Sequence, residues 1–273
     1  MKTLLLFFFL PYSAFAQNFS FNKESGKAVP NFVAELKLLK GKVLRTTGGR
    51  PRIVQVGEKF YPKDVVVTEA DASMKIIVAD DTWLALGPNS EIVFLDFEFK
   101  DKNERKISYE LKRGQLTANV RQKIKSGEVN FRSKFTTMGV RGTKIMMNYR
   151  EVDGKGIAEY ALIEGSAEVV DQEGKSHPLM AGERMILIQD KKIINLTLTA
   201  DDLKNFTSPE ADEEKDIRPF MPYYEMKEGA VSQLDEKSSD SIEERPEQKS
   251  GDGTFQNLKK LNEQLQDNQK KRR

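Results

Sequence analysis

Arg141 has the neighbours best suited to chemistry, because it lies between Gly139 and Gly142 in the run Gly139-Val140-Arg141-Gly142-Thr143. A planar guanidinium fork on a tight backbone path can grip a carboxylate or phosphate with two bonds. The same path into a strand also suits an arginine satisfied internally. The flanking glycines favour this second reading, under which Arg141→Ala costs mainly stability. Asp80 and Asp81 are adjacent carboxylates, and such a pair does acid–base work only where its surroundings push the two pKa values apart. Between two apolar runs they read instead as a hairpin turn facing water, where Asp bonds its own following backbone. His177 is the single histidine, so a histidine-based metal centre would need scattered carboxylates for all its other ligands. Its position before Pro178 reads as a loop bystander. The sequence holds no Gly-x-Ser-x-Gly, no His-Glu-x-x-His and no phosphate-cradling glycine loop. No catalytic, cofactor-binding or metal-binding residue is nominated, and a non-enzymatic protein is expected.

Two further stretches are candidates for meeting a partner. The aromatic island 217–226, with Phe220, Tyr223 and Tyr224, lies inside an otherwise acidic stretch. Such an island either packs back on the folded body, which is the favoured reading, or docks on a partner. Near the end of the chain, Leu258, Leu261 and Leu265 at i, i+3 and i+7 make one narrow apolar stripe on a basic amphipathic helix. Alone in water that helix is marginal, so it is expected to fold on a surface, with a partner preferred.

The elements that must position these residues are strands. Short β-branched and aromatic runs are broken by Gly, Asp, Asn and Pro about every ten residues, the pattern of an all-β domain. Strands are expected over 75–79, 83–86, 91–99, 107–111, 143–149 and 157–163. Within 91–99, Val93, Leu95, Phe97 and Phe99 alternate with polar residues, which predicts one apolar and one wet face. Trp83, on a strand with Leu84 and Leu86, reads as sheet packing. Turn chemistry falls between the runs at Asp80-Asp81, at Gly87-Pro88-Asn89 and at Asp153-Gly154-Lys155-Gly156, the last closing a hairpin. A weak internal repeat of an apolar residue, a spacer, Gly and a strand recurs at Leu39 to Val43, Leu111 to Leu116 and Ile163 to Val169. The first and third copies are followed by Gly57-Glu58 and Gly182-Glu183. Stacked antiparallel strands are expected, as a sandwich or a short irregular solenoid.

Composition sets the segments around that body. Residues 1–16 read as a signal peptide, with Lys2, an apolar run from Leu4 to Leu10 and an Ala14-Phe15-Ala16 cleavage site, so the mature chain is expected to start at Gln17. That run is shorter than the roughly 20 residues of a spanning helix, and no transmembrane segment is expected. There is no cysteine for a disulfide or a thioether-linked lipid. The net charge of +2 conceals a division: residues 209–252 hold 14 acidic and 6 basic side chains, whereas 253–273 hold 6 basic and 2 acidic. A near-neutral total argues against nucleic-acid binding. The expected organisation is an N-terminal extension over 17–35, the β-domain over 36–198, a short helix and aromatic segment over 199–230, an acidic disordered linker over 231–253 and the basic helix over 254–273. The β-domain is expected to fold without the tail.

Read together, several blocks resemble the FecR domain family. They are Gly41-Lys42-Val43, Gly57-Glu58, Asp80-Asp81-Thr82-Trp83-Leu84-Ala85-Leu86, Leu111-Lys112-Arg113-Gly114 and Val140-Arg141-Gly142-Thr143, closed by Glu164-Gly165 and Ala181-Gly182-Glu183. The order is the family's throughout, over about 36–188. The resemblance implies an all-β periplasmic module of the kind that relays the state of an outer-membrane transporter to a sigma factor. Signalling members place a cytoplasmic helical domain and one transmembrane helix before the module; a stand-alone exported member lacking both is expected here. The function expected is that of a periplasmic protein-interaction, signalling or scaffold module of the bacterial envelope, with an envelope protein as partner. The alternative is a surface-associated or extracellular structural protein contacting anionic lipid or polymer through Lys270, Lys271, Arg272 and Arg273.

Overall fold

The structure is a computed structural model that describes residues 19–22, 27–101, 104–121, 126–190, 192–199 and 202. The chain divides into two units, Met1–Glu225 and Met226–Arg273, and the described residues all belong to the first. The segments expected to be a signal peptide, an acidic linker and a terminal helix, and the residues Phe220, Tyr223, Tyr224, Leu258, Leu261 and Leu265, lie outside the described residues. Among the described residues no helix is long and apolar enough to cross a membrane.

A short hairpin, β1 (Phe19–Asn22) and β2 (Lys27–Pro30), pairs only with itself. The body begins with β3 (Ala34–Lys40), β4 (Val43–Thr47), β5 (Arg50–Ile53), β6 (Lys59–Phe60), β7 (Val65–Thr68), β8 (Ser73–Val78) and β9 (Trp83–Leu86). It continues with β10 (Glu91–Asp101), the long β11 (Glu104–Asn119), β12 (Ser126–Arg132), β13 (Thr137–Val140), β14 (Lys144–Val152) and β15 (Lys155–Glu164). The last four strands are β16 (Ser166–Val170), β17 (Ser176–Met180), β18 (Glu183–Ile188) and β19 (Lys192–Thr197).

These strands pair into two open layers. One runs β6-β3-β8-β9-β11-β14-β15-β18-β19 and the other β5-β4-β7-β10-β11-β12-β13-β16-β17. Every pairing is antiparallel except β11 with β12. Strand β11 serves both layers, pairing through its N-terminal part with β10 and β12 and, from Gly114 onward, with β9 and β14. Beyond β11 the chain lays two strands in one layer, then two in the other, each pair extending its layer outward. The architecture is therefore a sandwich in its packing and a spiral in its winding, which resolves the two options left open by the sequence.

Alternate residues of both layers point inward and merge into one core cluster, from Leu36, Met74 and Leu84 in the first layer to Ile92, Tyr109 and Val129 in the second. An aromatic column crosses it. The rings of Phe60 and Phe94 lie 5.6 Å apart, Phe94 and Tyr109 6.0 Å, and Tyr109 and Phe131 5.2 Å. Each such pair adds about 0.5–1.5 kcal/mol beyond its area burial.

The repeated glycines mark where the chain changes layer. Gly41, Gly57, Gly114, Gly142, Gly165 and Gly182 all have left-handed backbones, with φ between 69° and 89°, and each stands at a passage between layers. At Gly114 an added Cβ would lie 2.4 Å from the Cα of Ser90, so the crossing leaves no room for a side chain. The glutamates after Gly57 and Gly182 do the same work. Glu58 Oε2 accepts the Gln55 N–H at 3.3 Å, and Glu183 Oε2 accepts the Met180 N–H at 2.9 Å.

The expected strands are present, most of them longer than the local sequence indicated. The single-face alternation expected over 91–99 is corrected. The fully buried residues of β10 are Ile92 and Phe94, and a bulge at Leu95, where Phe94 pairs with Tyr109 but Asp96 with Ser108, switches the parity so that Phe97 packs inward afterwards. Asp96 and Glu98 are exposed, as expected. The Asp153-Gly154 turn closes the β14–β15 hairpin with φ of 51° and 73°, the two left-handed residues of a type I′ turn.

Candidate functional site

The Val140-Arg141-Gly142-Thr143 block forms the passage from β13 to β14, and its flanks are fixed. Val140 belongs to the core cluster, pairing with Val129 on one side and Ala167 on the other. Thr143 is buried and its carbonyl accepts the Val120 N–H at 2.9 Å. Gly142 and Gly165 abut, so that a Cβ at Gly165 would lie 2.8 Å from both the Gly142 carbonyl oxygen and Thr143 Cγ2. Beside them Lys144 Nζ meets Glu164 Oε1 at 2.9 Å, tying the two crossings together at the surface.

Arg141 stands exposed on this braced turn. It makes no hydrogen bond or ion pair among the described residues. This corrects the expectation of an internal partner: the two glycines serve the backbone path, and the side chain between them is left facing solvent. A guanidinium on an anchored turn is poised for an anionic group, because little backbone order has to be gained on binding.

The buried arginine of this region is a different one. Arg105 Nε lies 2.6 Å from Asp80 Oδ2, and both side chains are fully enclosed. Asp80 Oδ1 also accepts the Thr82 N–H at 2.9 Å, while Asp81 takes the left-handed position of the turn at φ 66°. The turn is as expected, but Asp80 faces inward rather than water, because Arg105 on the second layer supplies a charge to meet it. The Tyr109 hydroxyl nearby is pushed well above its ordinary pKa, first by burial and then by the Asp80 charge. Sequence reasoning missed this ion pair. Only the adjacency of two Asp before an apolar strand signalled it.

Two other polar sites are built around glutamates and aspartates. Arg45 Nε lies 2.8 Å from Asp64 Oδ2 and its Nη1 3.0 Å from Glu58 Oε1, so the Gly57-Glu58 motif holds a mostly buried arginine. His177 lies in strand β17 rather than in a loop, with Nε2 2.8 Å from Asp171 Oδ2. That bond, with the Lys175 and Glu173 N–H groups, holds the Asp171 carboxyl below its usual range. The pair lines a cleft of about 230 Å³ with Phe135, Lys175, Leu187 and Ile193. Among the described residues no group of three His, Asp or Glu side chains is placed to hold a metal ion. Trp83 lies half-buried on β9, as its strand position implied.

Residues 64–168 match the FecR protein family model. Over that stretch the chain is similar to the FecR family. The matched stretch runs from β7 through the start of β16, and includes Asp80, Arg105, Gly114, Arg141 and Gly165. It is narrower than the 36–188 suggested by the motifs, leaving out the opening crossings at Gly41 and Gly57 and the closing one at Gly182. Two crystal structures of candidate anti-sigma factors from Parabacteroides distasonis ATCC 8503, at 2.50 and 1.65 Å resolution, align with this chain. They share 16% and 18% identity with it at TM-scores of 0.44 and 0.41. The alignments cover 52% and 51% of this chain and 62% and 61% of theirs, less than two thirds of each solved chain. No curated protein matches the sequence.

Proposed function

We propose that this protein is an exported, non-enzymatic module of the bacterial cell envelope that recognises an anionic group on a partner protein through Arg141. The observation that carries this reading is the exposed guanidinium on the braced β13–β14 crossing, within the stretch that matches the FecR family. A β-sandwich with a fixed core, and with crossings at Gly41, Gly114 and Gly165 that leave no room for a side chain, is a rigid platform, suited to presenting one charged group at one angle. The apolar run and Ala14-Phe15-Ala16 site at the N-terminus support export, and periplasmic residence follows as part of the proposal.

The partner is an envelope protein, and its recognition surface is acidic on this reading. Crosslinking in intact cells tests it with three proteins: the native chain, Arg141→Lys and Arg141→Ala. Loss of the crosslinked species in Arg141→Ala, weakening in Arg141→Lys and an unchanged melting temperature in both are expected, because lysine keeps the charge but not the fork. An undiminished species in Arg141→Ala would overturn the role of Arg141. Mass spectrometry of the purified protein should find Gln17 first, and intact 1–16 on most molecules would overturn export.

A further inference from the structure

The outer face of the first layer is buried, although a two-layer sandwich leaves its outer faces to water. On that face lie Lys75 of β8, Asn148 and Met146 of β14, Glu159 and Ala161 of β15 and Ile186 of β18. All are at most 1% exposed. Met146, Ala161 and Leu198, with Ile163 beside them, form an apolar cluster separate from the core. Among the described residues no strand lies over this face; hairpin β1–β2 runs beside β10, in the other layer.

We propose that residues 217–225, carrying Ile217, Phe220, Met221, Tyr223 and Tyr224, lie across this face as a third layer of the domain. The course of the chain indicates the occupant. Immediately after β19, Leu198 turns onto the face and joins Met146 and Ala161. Thr199 and Asp202 then cap one another, Asp202 Oδ2 accepting the Thr199 N–H at 2.8 Å and Thr199 Oγ1 the Asp202 N–H at 3.1 Å. Arg184 of β18 lies 3.9 Å from Asp202 and holds that turn over the sheet.

Charge and reach agree with this. Lys75, Arg150 and Arg184 lie on the face with Glu159, which meets Arg150 at 2.5 Å and Arg184 at 2.6 Å. The stretch that would cross them, 210–216, carries Glu210, Asp212, Glu213, Glu214 and Asp216 against one lysine. From β18 to β8 is five strand spacings, about 24 Å. Residues 203–216 can span about 45 Å when extended, so the aromatic segment reaches any part of the layer. The segment has the aromatic and aliphatic side chains to cover the apolar part of the face, formed by Met146, Ala161 and Leu198 with Ile163 beside them.

The single tryptophan makes the test direct, since Trp83 lies half-buried on this outer face, opposite Asn119. The chain has no cysteine, so Tyr223→Cys in the full-length protein can carry one nitroxide, which quenches tryptophan only at short range. Trp83 emission should be lost relative to the same variant with a diamagnetic label, independently of protein concentration, and restored in denaturant. Where Tyr223→Cys loosens the fold, Pro222→Cys carries the label with every aromatic anchor kept. Undiminished emission in both variants places the segment elsewhere and overturns the proposal. Quenching that grows with concentration does so too, by assigning the face to a second copy.

Discussion

At the scale of the residue, buried arginines that hold the protein together contrast with Arg141, exposed on its turn. Arg105 is enclosed with Asp80, and removing either residue takes an ion-pair partner from a buried charge. Asp80→Ala should therefore cost about 3–5 kcal/mol, read as a lower denaturation midpoint, whereas replacing both residues together by apolar ones of similar volume should recover most of it. The sequence made the Asp80-Asp81 turn legible but not its orientation, because the deciding charge is 25 residues further on and across the sandwich. Arg141 was legible as a candidate from its glycines alone. Its exposure was not, since that depends on what stands behind the turn. The Asp171–His177 bond makes a pH prediction of definite sign. The folded carboxyl titrates below its unfolded value, near 3.9, so the stability it contributes is present above that pH and lost as pH falls through the folded value. Asp171→Asn should flatten the acid limb of a pH–stability curve, and an unaltered limb would show that the bond contributes nothing.

At the scale of the element, the glycine crossings decide where strands stop belonging to one layer. Gly114 and Gly154 test that role, because both have left-handed backbones but only Gly114 is closed in. Gly154→Ala faces open space and should cost about 1–2 kcal/mol, the left-handed penalty of a Cβ alone. Gly114→Ala adds collision with Ser90 and should cost about 1–3 kcal/mol more, measured by equilibrium unfolding. The period-two runs and turn residues made most strands readable, since those signals are local. The repeated Gly blocks were visible too, though their meaning needed the layers. The bulge in β10 was hidden, because an extra residue is defined against the partner strand β11 rather than within its own sequence.

At the scale of the whole molecule, one core serves both layers and carries its hydroxyls inside it. Burial pushes the Tyr160 hydroxyl up to about 12, and burial with the Glu151 charge does the same for Tyr149. In the unfolded chain both titrate near 10, so above that pH the unfolded state releases protons that the folded state keeps. Stability should fall between about pH 10 and 12, at about 1.4 kcal/mol per pH unit for each tyrosine. Tyrosinate absorbance should accordingly rise in step with unfolding rather than ahead of it. Fold class was legible as all-β, but the choice between sandwich and solenoid was not. The pairings that settle it, such as β9 with β11 and β13 with β16, join segments whose sequences carry no mark of one another.

The sharing of β11 between the layers also bears on how fast the chain assembles and in what sequence. Its four neighbours span β9 to β14, so neither layer can close until this one strand is placed, whereas β14 to β19 are added as near-neighbour hairpins. The entropy of loop closure is concentrated at that step, and the later strands condense on a surface already formed. Truncations within β11, such as Ile107→Val and Leu116→Ala, should slow refolding. Leu179→Ala and Ile186→Val at the far end should leave the refolding rate nearly unchanged and speed unfolding instead.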